Sequence, residues 1–372
     1  MYLIYVLVRL GLNGWDPAQF ITAGDRYVQS SKTPTDIPVL KNSVGYDGHF
    51  FYRLALDPFP SQQAKYGVLL DRPAYRSQRV LYPLVAKALA VGNVGLIPTA
   101  LIAVNLLAIT FSAYLAGSLA QHYRGSPNAG LLAGFYPGLL LSVSRDLAEP
   151  LALALMLGSI MFLRNSKHVL ATMLLTLAVL TRETSLLIAV AAGLIWLYYL
   201  RSNPSSIRER IPWFYFTLPV CVFVLWQVIL WRTWGQFPVL TGTSSSGGPP
   251  SKGLFDAWNQ VAANGGAQKW KWILEVILLF SIWGYALVSI KRSSASLLVK
   301  LAFVAYCLGC LVLTGAVWIE DWAFLRIATE ASVFALIVLA CSRFRLAIPM
   351  TAAMAAAWIS LAINEVVDGP FS

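Results

Sequence analysis

About eleven apolar runs alternate with short charged loops along this 372-residue chain, at about 1–12, 94–120, 129–143, 148–163, 168–181, 184–200, 213–232, 272–290, 296–318, 327–342 and 346–363. A helix needs roughly 20 apolar residues to cross a bilayer, and fewer where its ends are shielded. Charged residues make up only 12% of the chain against 58% hydrophobic ones, about half the charge share of an ordinary soluble domain. So little charge cannot cover a globule of this size. That excludes a water-soluble enzyme, a nucleic-acid-binding domain and a disordered chain. The pattern predicts one all-α integral-membrane domain over 1–372, a polytopic bundle of about eleven transmembrane helices. The run 1–12 has no basic start and no small-residue cleavage site, so it reads as a helix or short anchor rather than a cleaved signal peptide.

The net charge of +11 reads as topology rather than as a sign of nucleic acid. Alternate loops counted from the N-terminus hold Arg124, Arg164, Lys167, Arg201, Arg208, Arg210, Lys291, Arg292, Arg343 and Arg345, with Glu209 as their single acid. Positive charge marks the cytoplasmic side, which puts the N-terminus inside and nearly all the acids on or near the outer face. The long segments lie outside too. The first spans 13–93 and contains two apolar stretches, 50–56 and 80–91, too short to cross. They predict helices lying in the interface or packed on the bundle, within a structured outer layer. The second spans 234–271 and includes TGTSSSGGPP at 241–250, which reads as flexible. The cysteines, Cys221, Cys307, Cys310 and Cys341, sit in apolar runs and read as buried free thiols; the lone CxxC has no second pair or nearby histidine to make a zinc or redox site.

The densest chemistry lies in the stretch GYDGHFFYRLALDP, 45–58. Asp47, flanked by glycine and aromatics at the membrane boundary, is a candidate base; the alternative is that it caps the helix that follows. Downstream, Arg76 and Arg79 stand three apart, which suits a lipid phosphate or diphosphate, although snorkelling is the commoner use of interfacial arginine. Three clusters fall at the outer ends of spans: Arg145-Asp146 with Glu149, Arg182-Glu183, and Glu320-Asp321 with Arg326 and Glu330. Within each, opposite charges pair at one depth. Ion pairing explains any one cluster, but three at one face predict a polar cavity for a charged substrate. His49, His122 and His168 are too scattered for a metal triad, and no HExxH, P-loop or GxGxxG occurs.

These motifs resemble those of the GT-C glycosyltransferases, multi-span membrane enzymes whose first outer loop bears an essential acid. YDGHFFYRLA is similar to the W-D-x-x-W-Y-x-x-I-A stretch of the GPI-type and related bacterial mannosyltransferases, and RVLYPLVAKAL to their F-P-L-Y-P-L-x-x-R-x-L element. The span 144–186 resembles an S-E-S-L-F element, a cytoplasmic turn and a T-R-x-x-G-L element. The likeness covers roughly the first half of the chain. Tyr46 stands where Trp is usual, and Glu183-Thr184-Ser185 follows Arg182 where Pro or Asn and Gly are usual.

The resemblance implies an inverting transfer of a sugar from a polyprenyl-phosphate donor to a lipid or glycan acceptor at the extracytoplasmic face, in a bacterial inner or plasma membrane. The essential acid would be Asp47 by motif or Asp16 by position. Arg53, Arg76, Arg79, Arg145, Glu149, Arg182 and Arg326 are the candidates for donor phosphate and substrate, and apolar faces would hold the prenyl tail among membrane lipids. No nucleotide or nucleic acid is needed. Asp16, Asp47 and Glu149 would supply oxygen ligands for a divalent cation if they converge. The competing reading is a transporter or flippase of an anionic lipid or solute; the sequence offers no convincing repeat and few midplane charges for it, Arg9 and Lys300 being the candidates. A noncatalytic scaffold has no evident need for an outer loop rich in acids and arginines.

Overall fold

The computed structural model describes residues 1–202, 211–264, 266–342 and 347–367, and the chain is mostly helical over them, with almost no sheet. Arg208, Glu209, Arg210, Arg343 and Arg345 of the orienting loops lie outside the described residues.

Helix α1 (Tyr2–Leu12) leads into the first outer segment, which carries α2 (Gly48–Leu56), α3 (Pro73–Ser77) and α4 (Leu81–Leu89). The bundle follows: α5 (Ile97–His122), α6 (Ala129–Gly134), α7 (Pro137–Val143), α8 (Glu149–Arg164), α9 (His168–Thr181), α10 (Leu186–Ser202) and α11 (Trp213–Trp234). The second outer segment holds α12 (Pro238–Ser246) and α13 (Lys252–Asn264). Then come α14 (Gly266–Ser289), α15 (Leu297–Leu311), α16 (Gly315–Ile319), α17 (Asp321–Ile327), α18 (Thr329–Ala340) and α19 (Ala347–Val367).

Among the described residues five helices are long and apolar enough to cross a membrane: Val94–His122, Glu183–Arg201, Trp213–Trp234, Gln268–Ser289 and Pro349–Val367. Each turns large apolar side chains outward, among them Phe111, Leu194, Leu225, Leu274 and Ile363, the arrangement a hydrocarbon solvent favours and water does not. Four shorter apolar helices accompany them: Tyr2–Leu12, His168–Thr181, Leu297–Leu311 and Thr329–Ala340. Three of the expected runs are interrupted. Pro137 lacks an N–H and forces Tyr136 into extended backbone, which splits 129–143 into α6 and α7. The run 296–318 breaks after Leu311, and Ala328 separates α17 from α18 within 327–342. Helix α18 is the hub of the bundle, buried from Thr329 to Leu339 and packed against α5, α6, α14 and α15. Cys307, Cys310 and Cys341 are buried free thiols as expected, but Cys221 is exposed, on the outward side of α11.

The first outer segment has an apolar core of its own. Ile21, Phe51, Tyr52, Tyr82 and Ala86 pack together over Leu101 and Val104, in the N-terminal part of α5, and over Leu147. Both helices expected at 50–56 and 80–91 form, as α2 and α4. Helix α2 is buried from Gly48 to Ala55, so it packs on the bundle rather than floating in an interface. Two short pairs tie the segment together: parallel β1 (Ala23–Gly24) with β2 (Val39–Leu40), and the hairpin β3 (Ala64–Lys65) with β4 (Val68–Leu69). Gly48 sets how closely α2 approaches the bundle. A Cβ there would lie 2.5 Å from the carbonyl oxygens of both Arg145 and Ile21, so only glycine lets the start of α2 sit against the 144–148 turn.

The second outer segment is more ordered than its composition predicts. Helix α12 covers Pro238–Ser246, including the first part of the serine- and glycine-rich stretch. It packs on α3, and Gly242 lies so close to the Tyr75 ring that a Cβ would come within 2.4 Å of it. Nothing is described for the side chains of 243–246.

Candidate functional site

Asp47 occupies the N-cap position of α2, yet its side chain makes no capping hydrogen bond. Its backbone carbonyl accepts from Phe50 and Phe51, which starts the helix and leaves the carboxylate free to face the opposing loops. Oδ1 accepts from Arg76 Nη1 at 2.7 Å, and Oδ2 lies 3.8 Å from Arg326 Nη1. Partial burial would raise this carboxyl. The Arg76 and Arg326 guanidiniums, with Arg79 and His49 beyond them, overcome that and hold it well below the usual carboxylate range. Asp47 is therefore ionised across neutral pH, and its side chain stays 22% exposed, open on one edge.

From Asp47 a chain of alternating charges runs across the ends of several helices. Arg326, at the last turn of α17, also reaches Glu149 at 3.1 Å, at the first turn of α8. Glu149 in turn lies 3.7 Å from Arg182, which pairs with Glu330 at the start of α18. Arg182 sits in extended backbone between α9 and a 3-10 turn, and alternation sends its neighbour Glu183 the other way. There Glu183 accepts two hydrogen bonds from Arg79, at 2.6 and 3.0 Å. Arg79 also donates to the Tyr75 hydroxyl at 2.8 Å. Asp47, Phe50, Tyr75, Arg76 and Arg79 line a small cleft beside this chain. A parallel set adjoins it through Tyr46, whose ring lies 5.2 Å from the Arg326 guanidinium and 5.5 Å from that of Arg145. Arg145 pairs with Glu365 at 2.8 Å, and Arg9 reaches Glu365 at 3.9 Å.

Most of the candidates named from sequence are thus brought together: Asp47, Arg76, Arg79, Glu149, Arg182 and Arg326 in one network, with Arg145 beside it. The pairing differs from the expectation. Arg326–Glu149, Arg182–Glu149 and Arg182–Glu330 each join different clusters, because neighbours along a turn point to different helices. Two candidates stand apart. Asp16 accepts from the Ala18 N–H at 2.9 Å and caps the turn Pro17–Phe20. Arg53 is fully buried, 3.5 Å from Asp57 and 5.3 Å from the Tyr66 ring. Asp16, Asp47 and Glu149 do not converge on a cation: among the described residues no three of His, Cys, Asp or Glu gather to hold a metal ion.

The sequence reading missed Glu365 and the partnership of Arg9 with it, and it passed over Asp71. An acid just past the end of the last apolar run is the available signal for Glu365. His49 carries a readable pH signature. Its ring is buried, stacked at 5.8 Å on Tyr27 and facing Arg76, Asp47 and Asp71. Burial, and then the Arg76 charge, push its imidazole from the ordinary 6.5 down to about 4. The unfolded chain takes up the proton near 6.5 and the folded protein only near 4, so stability falls as pH drops through that window. His49→Phe is expected to flatten thermal stability between pH 6.5 and 4; an unchanged slope would show that other groups set it.

Chemically, the site offers one ionised carboxylate with an open edge, flanked by guanidiniums that can take an anion's oxygens. Nε of Arg182 and Nε of Arg326 are buried without a hydrogen-bond partner among the described residues, which leaves donors in reserve. No protein-family model matches the sequence, and no curated protein matches it.

Proposed function

We propose that the protein is a membrane-embedded glycosyltransferase of the GT-C type. In this reading it moves a hexose or pentose from a polyprenyl-phosphate donor to a lipid or glycan acceptor at the extracytoplasmic face, with the N-terminus and the basic loops cytoplasmic. About eleven membrane crossings would be made by the five long helices together with the shorter and broken ones. The observation that carries the reading is the Asp47 carboxylate, which spends no hydrogen bond on its own helix and lies between two guanidiniums. A proton acceptor and a phosphate clamp stand together at the outer ends of apolar helices.

In the reaction, the acceptor hydroxyl gives its proton to Asp47 as its oxygen attacks the anomeric carbon. The bond from that carbon to the phosphate oxygen breaks on the opposite side, so the configuration inverts. The electron pair leaves on the phosphate, whose growing charge Arg76 and Arg326 stabilise. Apolar helix faces hold the prenyl chain. No phosphate loop is required, since the donor arrives already activated.

The test is transfer by the purified protein in liposomes, supplied with radiolabelled polyprenyl-phosphate sugars and an envelope lipid extract. A labelled glycolipid or glycan product, lost when the donor is omitted, supports the reading. Movement of the lipid between leaflets with no transfer product would instead establish a flippase.

A further inference from the structure

Behind Asp47 stands a second acid that makes no direct contact with the open edge of the site. Asp71, just before α3, grips one side of Arg76: its Oδ1 accepts from Nε at 2.7 Å and its Oδ2 from Nη2 at 2.9 Å. The remaining nitrogen, Nη1, is the one that reaches Asp47. The Phe50 ring lies 4.0 Å from the same guanidinium and Tyr75 lies 5.5 Å away, so the plane cannot swing out. Asp71 is itself fixed, accepting from the Arg72 backbone N–H at 2.7 Å with the Arg72 side chain 3.5 Å away.

We propose that Asp71 is a positioning residue that acts through Arg76, holding its side-on edge so that the Nη1 edge alone is shared between Asp47 and an incoming phosphate. The inference rests on the reading of this cluster as a site for a phosphate-linked donor. Its consequence is a hand-over. A phosphate oxygen that takes Nη1 removes the cation nearest Asp47, and the carboxylate becomes a stronger base only once the donor is seated. Asp71 also offsets the Arg76 charge. Without that offset Arg76 would bind Asp47 and phosphate too tightly to pass between them.

A residue that merely supports the fold would weaken ligand binding when changed; a charge-offsetting one strengthens it. Binding of farnesyl phosphate to the full-length protein in lipid nanodiscs, followed by titration calorimetry, separates the two. Asp71→Asn is expected to bind about three- to fivefold more tightly than wild type, as loss of one partly exposed charge would give. Asp71→Glu, which keeps the charge, is expected within about twofold of wild type. Unchanged or weaker binding by Asp71→Asn that melts as wild type does would overturn the assignment, as would an equal gain in Asp71→Glu. Asp71→Ser gives the same reading if the asparagine variant does not fold. Absence of wild-type binding would overturn the phosphate site and this role with it, whereas wild-type binding without the gain overturns Asp71 alone.

Discussion

Asp47→Asn is expected to lower sugar transfer by roughly 10²–10⁴-fold, the range typical of a lost general base. Asparagine keeps the size of the side chain and can still accept from Arg76, but it carries no charge and takes no proton from the acceptor. The fold should persist, because α2 starts on the Asp47 backbone and not on its carboxylate. Transfer from the polyprenyl-phosphate donor, measured beside circular dichroism and thermal melting, checks both halves. Asp16→Asn supplies the comparison, since the Asp16 carboxylate is committed to the Ala18 N–H. Full transfer by Asp47→Asn, or its loss in Asp16→Asn alone, would remove Asp47 from the mechanism.

The largest effect on stability is expected at the far end of the charge chain. Arg182 is 4% exposed and joins Glu149 to Glu330, which are 2% and 1% exposed, so it ties the 3-10 turn before α10 to the starts of α8 and α18. Arg182→Met keeps most of the volume but leaves two buried carboxylates facing one another, with Arg326 still serving Glu149. Breaking a buried pair by deleting one partner costs about 3–5 kcal/mol. The variant is expected to unfold at markedly lower temperature in detergent than wild type, and than Arg182→Lys, which keeps the charge. A melting temperature equal to wild type would mean that solvent reaches this pair.

What could be read from the chain and what could not have different physical origins. Uniform apolar runs such as 94–120 and 213–232 leave a helix in lipid little alternative, so these elements were legible from composition alone. The split at Pro137 was equally written in the sequence, but a count of apolar residues passes over it. The arginine and acid content of the site was legible for the same reason as the long apolar helices: charge is rare here and its position is informative. Which acid meets which arginine was not. Glu149 meets Arg326 and Arg182, and Arg145 meets Glu365, all across helices distant in sequence. Such pairings follow from helix packing, which no local pattern encodes. The contrast between Asp16 and Asp47 is subtler. Asp16 precedes a proline and finds the nearby Ala18 N–H, whereas the Gly48 contact draws the start of α2 against another loop and turns Asp47 toward the guanidiniums.

Helix α18 has a consequence for how the protein holds together in its membrane. It is twelve residues long, begins Thr329-Glu330, and is enclosed by protein over nearly its whole length. An uncompensated charge carried into lipid is costly, and twelve residues span little more than half of the hydrocarbon thickness. Such a segment has no stable resting place in lipid by itself. Its burial depends on the helices packed around it, and the Glu330 charge is balanced by Arg182 from the turn before α10. The charge chain that frames the candidate site thus also binds the last third of the chain to the middle third, through Glu330 and Arg182.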